Sequence, residues 1–366
     1  MIRLGLAMLL GASAAVWAQE TVSRDHTVTV TSRVPVIAGK TVKIYLREQA
    51  TPSVLRKGAG DKVVLFVHGA GTPAEVAFDV PYQDYSWMGY LAKAGYDVFA
   101  VDMEGYGRSD RPAPMNDKCN LSPEQQKLFN LSCPQSYPGQ LTNIGSDWND
   151  ISAAVDYIKT LRHVTKLNLI GWSQGGPRAG GWAAHHPDQV NRLVLLAPAY
   201  NRNNKDTDAP LPLPGPAFSV QTHDDFISGW NRQAPCPGQY DPKAAAAIWA
   251  KNLASDPVGA GWTPASRRAS NASYVPAFTT AVANSMTVPT LLFSGVHDVQ
   301  VKPERVRDLY ADLGSGQKAF VALGCSSHNA MWEKNHLLMF AAALEWLDKG
   351  TVNGQVNALQ NMGGDQ

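Results

Sequence analysis

Polar and apolar positions alternate along Thr27–Val36 and Thr41–Leu46, two stretches rich in Val and Thr with a turn at Ala38-Gly39 between them. A period of two predicts a pair of antiparallel strands. The pattern then changes. Short continuous apolar runs occur at Lys62–Val67, Tyr96–Val101, Lys166–Ile170, Arg192–Ala197, Val288–Ser294 and Ala319–Leu323, the mark of strands covered on both faces. Between them the spacing is helical: Tyr82–Ala94, stopped by Gly95; Asn143–Leu161, with Ile144, Trp148, Ile151, Val155 and Ile158 on one face; a stretch running to Pro187; Pro303–Leu313; and Ala330–Asp348. Strands alternating with helices predict an α/β fold, a mostly parallel twisted sheet with helices on both faces.

Two segments break the alternation. Arg111–Thr142 is long and irregular and carries Pro112, Pro114, Cys119, Pro123, Cys133 and Pro134; loops of this length inside a compact domain are usually functional. From Tyr200 to Thr287 a Pro-rich linker (Ala209–Pro216) leads into helical stretches, the clearest at Pro242–Ala254. This reads as a helical cap inserted into the sheet domain. The expected organisation is an export signal over 1–18, a first core segment over 19–199, the cap over 200–287, a second core segment over 288–349 and a flexible tail over 350–366.

The signal rests on Met1-Ile2-Arg3, an apolar run from Leu4 to Trp17 and a small residue, Ala18, at the cleavage position. The run is short of the roughly 20 residues a spanning helix needs. Export, to periplasm or medium, changes how Cys119, Cys133, Cys236 and Cys325 are read. They form an even set in a compartment that permits disulfides, and no C-x-x-C pair suggests zinc or redox chemistry. Of three connectivities, the local pair Cys119–Cys133 lies within one loop, leaving Cys236–Cys325 to join the cap to a loop further on. The 366 residues carry a formal net charge of +1, with 44% hydrophobic and 17% charged. That balance excludes wholesale disorder and gives no electrostatic case for nucleic acid or an anionic membrane. The expected partner is a small molecule.

Gly171-Trp172-Ser173-Gln174-Gly175 fits G-x-S-x-G, and it follows a predicted strand and opens a predicted helix, the context a nucleophile elbow requires. A serine hydroxyl needs a base, and the base an orienting acid. Asp298 follows the strand ending at Ser294, and His328 follows the strand ending at Leu323. Both stand at carboxyl ends of strands, where open α/β sheets place their sites. Asp102 and Glu104 are competing acids from an earlier strand, with Asp102 better suited to bracing its own turn. A developing oxyanion needs two N–H donors; the candidates are Gln174, next to the serine, and Ala70, in His68-Gly69-Ala70-Gly71 at the end of another strand. His68 is read as orienting that loop. Gly69-Ala70-Gly71-Thr72-Pro73-Ala74 also satisfies G-x-G-x-x-A, but Pro73 interrupts the turn and no acidic residue ends a second strand about 20 residues on, so a dinucleotide site is rejected.

The strand-borne Ser173, Asp298 and His328, in that order, with the His68–Gly71 loop and the insertion after Arg192–Ala197, resemble the α/β-hydrolase superfamily. The resemblance runs from Lys62 to the last helix. It is nearest to serine esterases, carbon–carbon bond hydrolases and proline iminopeptidase-like peptidases. A serine departs from the carboxylate nucleophile of epoxide hydrolases and haloalkane dehalogenases. The resemblance implies acyl transfer with no cofactor and no metal, but the long Arg111–Thr142 segment departs from the family's pattern, so the substrate is not carried over from it. The expected substrate is a carboxylic ester or lactone, partly enclosed by an aromatic cap of Phe226, Trp230, Trp249 and Trp262. Amide or peptide cleavage, for which Asp224-Asp225 could bind an amine, carbon–carbon cleavage, and a non-catalytic binding protein are the alternatives.

Overall fold

A computed structural model describes residues 20–203, 211–270, 272–273 and 277–364; the expected export signal lies outside them. Among the described residues no helix is long and apolar enough to cross a membrane.

The sheet has nine strands: β1 (Val22–Thr31), β2 (Thr41–Ala50), β3 (Val63–Val67), β4 (Asp97–Asp102), β5 (Leu167–Trp172), β6 (Val190–Leu196), β7 (Thr290–Gly295), β8 (Lys318–Leu323) and β9 (Leu359–Met362). Their spatial order is β1-β2-β4-β3-β5-β6-β7-β8-β9. The alternating β1 and β2 pair antiparallel, β2 runs antiparallel to β4, and every other pairing is parallel. The continuous apolar runs are the central strands: every residue of β3, β4, β5 and β7 is buried. Register puts Val67 opposite Gly171 and Gly295 opposite Leu323, so the loops after β3, β5, β7 and β8 leave from one edge.

The tail expected to be flexible contains β9, which adds a strand beside β8: Phe320 N donates to Ala358 O and Gly324 N to Met362 O, both at 2.8 Å. The chain is turned back onto the sheet at Glu345, whose carboxylate accepts from Thr351 Oγ1 and the N–H groups of Asn353 and Gly354. The helix read as Tyr82–Ala94 begins only at Trp87, because Gln83 is left-handed (φ 45°) and Ser86 Oγ caps Gly89 N. The stretch ending before Pro187 opens with a turn of π-helix, Gly176–Gly180, before the α-helix Gly181–His185. The last helix is split, with a 3-10 turn at Ala330–Trp332 and the α-helix only from His336 to Lys349.

The insertion is not purely helical. An antiparallel pair of strands, Phe218–Thr222 and Ala265–Ser270, flanks the helices His223–Asn231 and Pro242–Ser255. It also shares a small hydrophobic cluster with the long segment after Arg111. Met115, Leu121 and Leu141 pack with Ala217, Phe218, Val220 and Ala265, and Gln125 exchanges two hydrogen bonds with the backbone of Val220, at 2.8 and 3.1 Å. The Cys119–Cys133 disulfide is gathered around Gln126, whose amide bonds the backbone of both cysteines.

Candidate active site

Ser173 sits at the end of β5 with φ 58°, a left-handed conformation that is unusual for a side-chain-bearing residue. The neighbouring glycines permit it. A Cβ on Gly171 would stand 2.5 Å from Gly175 O, and one on Gly175 would stand 2.5 Å from Val67 O. The elbow is pinned from both sides: Ser173 N donates to Leu196 O at 2.9 Å, and Ser173 O accepts from Gly176 N and Ala199 N.

Asp298 and His328 meet. Asp298 Oδ2 lies 2.8 Å from His328 Nδ1, and its other oxygen accepts from Gln300 N and Val301 N, each at 2.8 Å. Both side chains are buried. With the carboxylate on Nδ1, Nε2 is the ring nitrogen left for the cavity. The backbone carbonyl of His328 accepts from Trp172 Nε1 at 2.8 Å, tying the histidine loop to the strand that carries Ser173. No hydrogen bond joins Ser173 Oγ to His328 in this structure, although both line one cavity of about 570 Å³; such contacts commonly tighten when substrate binds.

Ala70 lines the same cavity. Its loop rides against the elbow, since a Cβ on Gly69 would stand 2.8 Å from Ser173 Cβ. Among the described residues neither Ala70 N–H nor Gln174 N–H has a protein acceptor. Gln174 lines a neighbouring, smaller pocket with Pro177 and Tyr200.

His68 braces this loop. Met103 N donates to its Nε2 at 3.2 Å, and Nδ1 lies 2.7 Å from Gly69 O. Burial, together with the adjacent Arg178 guanidinium, holds its pKa well below the usual imidazole range, so it stays neutral. Asp102 accepts from Ala74 N and Arg108 N, and burial pushes it up to about 6. Glu104 is bonded to Ser32, away from His328. His297 lies against Cys236. Of the four aromatics expected around the substrate, Phe226 and Trp230 line the cavity. Trp249 stacks behind Phe226, and Trp262 belongs to the small cluster with Phe129 and Phe218.

Two buried residues that sequence reasoning missed hold the site together. Arg178, fully buried on the π-turn, donates to His68 O at 3.0 Å and Gly69 O at 2.9 Å while its Nε pairs with Asp147 at 2.8 Å. Glu333, also fully buried, accepts from Ser327 N and Ser327 Oγ, both at 2.6 Å, from Trp230 Nε1 at 2.7 Å and from Gln239 Nε2 at 3.1 Å. Burial raises its pKa, against the pull of those donors. It is also where the last helix is interrupted. Glu333→Ala would orphan several buried donors, so we expect a loss of roughly 3 kcal/mol in urea melts, with Glu333→Gln losing less because one acceptor oxygen remains.

Cys236 and Cys325 are bonded with Cα atoms 5.7 Å apart, joining the insertion to the loop that carries His328; Cys119 and Cys133 are 5.4 Å apart.

The model of the alpha/beta hydrolase fold family matches residues 62–335. The chain belongs to the α/β-hydrolase family. Over 165 residues it is 24% identical to a 2-hydroxy-6-oxononadienedioate/2-hydroxy-6-oxononatrienedioate hydrolase of Escherichia coli, a match covering 43% of this chain and 41% of that protein. It therefore spans about two-fifths of the length of the curated relatives it matches. Among solved structures, the fold is similar to an esterase from a Rhodococcus species (TM-score 0.56, 15% identity, 89% of this chain and 99% of that one). It is also similar to a meta-cleavage product hydrolase from Pseudomonas fluorescens (TM-score 0.54, 15% identity, 88% and 98%).

Proposed function

We propose that the chain is an exported serine hydrolase that cleaves a carboxylic ester or lactone through an acyl-enzyme on Ser173. The observation that carries this reading is the buried Asp298–His328 pair opening onto the cavity that Ser173 lines. In the reaction, Ser173 Oγ attacks the carbonyl carbon while His328 Nε2 takes its proton. The N–H groups of Ala70 and Gln174 donate to the oxyanion, and His328 returns the proton to the leaving alcohol. Water then attacks the acyl-enzyme by the same route, releasing the acid and freeing Ser173. Asp298 holds the Nδ1–H tautomer throughout.

The amine-binding alternative finds little support in the cavity. Asp225 lines it, with its Oδ2 accepting from Thr222 N and Thr222 Oγ1, the latter at 2.7 Å, and two guanidiniums, Arg232 and Arg268, line the same cavity. Carbon–carbon cleavage is favoured by one observation, the sequence similarity to the Escherichia coli 2-hydroxy-6-oxononadienedioate hydrolase. Export is supported by the two disulfides, which persist in oxidising compartments.

The test is a fluorophosphonate probe followed by peptide mapping, run beside turnover of esters, lactones, anilides and an oxononadienedioate. Labelling of Ser173 with ester turnover is the expected result. Labelling elsewhere, or turnover of the oxononadienedioate alone, overturns the ester reading.

Reduction supplies a separate prediction. With Cys236–Cys325 opened by dithiothreitol, activity is expected to fall at temperatures where far-ultraviolet circular dichroism is still native, because the histidine loop loosens before the sheet does. Parallel loss of both signals would contradict it.

A further inference from the structure

The strand Ala265–Ser270 carries two adjacent arginines with opposite circumstances. Arg267 is fully engaged: Nε and Nη2 reach Asp256 at 2.8 and 2.6 Å, and Nη1 reaches Asn116 Oδ1 at 2.7 Å and Met115 O at 3.2 Å. Arg268, one residue on and so on the other face of the strand, lines the cavity that holds Ser173 and His328. Its Nε is buried with no hydrogen-bond partner, and among the described residues no carboxylate pairs with its guanidinium. Burial draws its pKa down, with only the Tyr106 ring hydroxyl opposing.

The guanidinium lies over Gly71 in the loop that carries Ala70. A Cβ on Gly71 would stand 2.2 Å from Arg268 Nε and 2.5 Å from Cζ, so the glycine leaves the room in which the guanidinium rests. The other arginine against this loop, Arg178, has its own set of acceptors. Among the described residues the cavity's one acidic lining residue is Asp225, whose Oδ2 accepts from Thr222. Arg232 lines the cavity as well, so its described lining carries two guanidiniums against one carboxylate. A buried guanidinium nitrogen without a partner is costly, and the planar fork matches a carboxylate through two parallel hydrogen bonds.

We infer that Arg268 is the subsite for a carboxylate on the substrate, so that the preferred substrates are half-esters or other esters carrying a free acid. This deepens the serine-hydrolase reading and rests on it. The acid can belong to the acyl part or to the alcohol part, and matched substrates distinguish the two. 4-Nitrophenyl hydrogen glutarate against 4-nitrophenyl pentanoate places the charge on the acyl side. 4-Carboxyphenyl butanoate against 4-carbamoylphenyl butanoate places it on the alcohol side.

In one of these pairs the wild-type protein is expected to favour the anionic ester by 10- to 100-fold in kcat/KM, the range of a charged hydrogen-bonded contact. Arg268→Gln should bring that ratio to near one, and Arg268→Lys should retain part of it. Damage to folding or to the reacting groups would lower both esters and leave the ratio alone, so a ratio unchanged in Arg268→Gln overturns the assignment, as does a wild-type ratio near one in both pairs. Arg268→Met is the second variant if the glutamine variant does not fold. If no ester turns over at all, the serine-hydrolase reading fails, and glutarate binding by calorimetry decides the subsite independently. Binding to wild type that is lost in Arg268→Gln upholds it; no binding to wild type, or equal binding to both, overturns it.

Discussion

Replacing Ser173 with alanine is expected to lower kcat by about 10⁴-fold or more while leaving the melting temperature within a degree or two of wild type. On the proposed serine-hydrolase reading the loss is large because nucleophile and base act as one unit: without Oγ, His328 has nothing to activate, and only oxyanion binding remains. The small change in stability follows from the geometry. Among the described residues Ser173 Oγ has no hydrogen-bond partner, and the backbone bonds that pin the elbow, to Leu196 O and from Gly176 N and Ala199 N, survive the change. Alanine must adopt the same left-handed φ that serine already adopts. Steady-state kinetics and a thermal melt check the two halves. Near-normal turnover in a folded Ser173→Ala protein would remove Ser173 as nucleophile.

Asp298→Asn is expected to cost about 10³–10⁴-fold in kcat, for a reason the local backbone supplies. One carboxylate oxygen is committed to Gln300 N and Val301 N, the other to His328 Nδ1. An asparagine must keep its carbonyl oxygen on the two N–H donors, so its NH₂ faces Nδ1. The imidazole then carries its proton on Nε2, towards Ser173, and cannot act as a base. Asp102→Asn and Glu104→Gln, whose carboxylates serve other partners, should cost far less when measured in the same assay. A severe loss in either, with Asp298→Asn mild, would move the acid to β4.

The difference between what the chain reveals locally and what it conceals follows the range of the interactions. The elbow is readable because its constraint is local: a strand, a serine forced left-handed, and glycines where a Cβ would strike Gly175 O or Val67 O. Asp298 and His328 are readable because parallel register delivers strand ends to one edge. Glu333 is not. In a helical-looking stretch it resembles a surface glutamate, and its burial depends on Ser327, Trp230 and Gln239 arriving from separate segments. Arg178 is hidden for the same reason, its charge being met by Asp147 from another helix. β9 carries no alternating pattern, because Leu359-Gln360-Asn361-Met362 is an edge strand held by backbone hydrogen bonds. The strands flanking the insertion's helices escaped notice because their apolar face is buried against the segment after Arg111, far away in sequence.

The wall facing Ser173 is fastened at several points: through Cys236–Cys325 to the histidine loop, through Glu333 to Trp230, and through Gln125 to Val220. Its aperture is therefore set when the chain folds, before any substrate arrives. A mouth of that kind works as a sieve: it selects by excluding molecules that do not fit and spends little binding energy on closure. Widening what it admits is then a matter of trimming Phe226, whereas loosening the fastenings, Trp230 among them, would blur the selection and slacken the histidine with it.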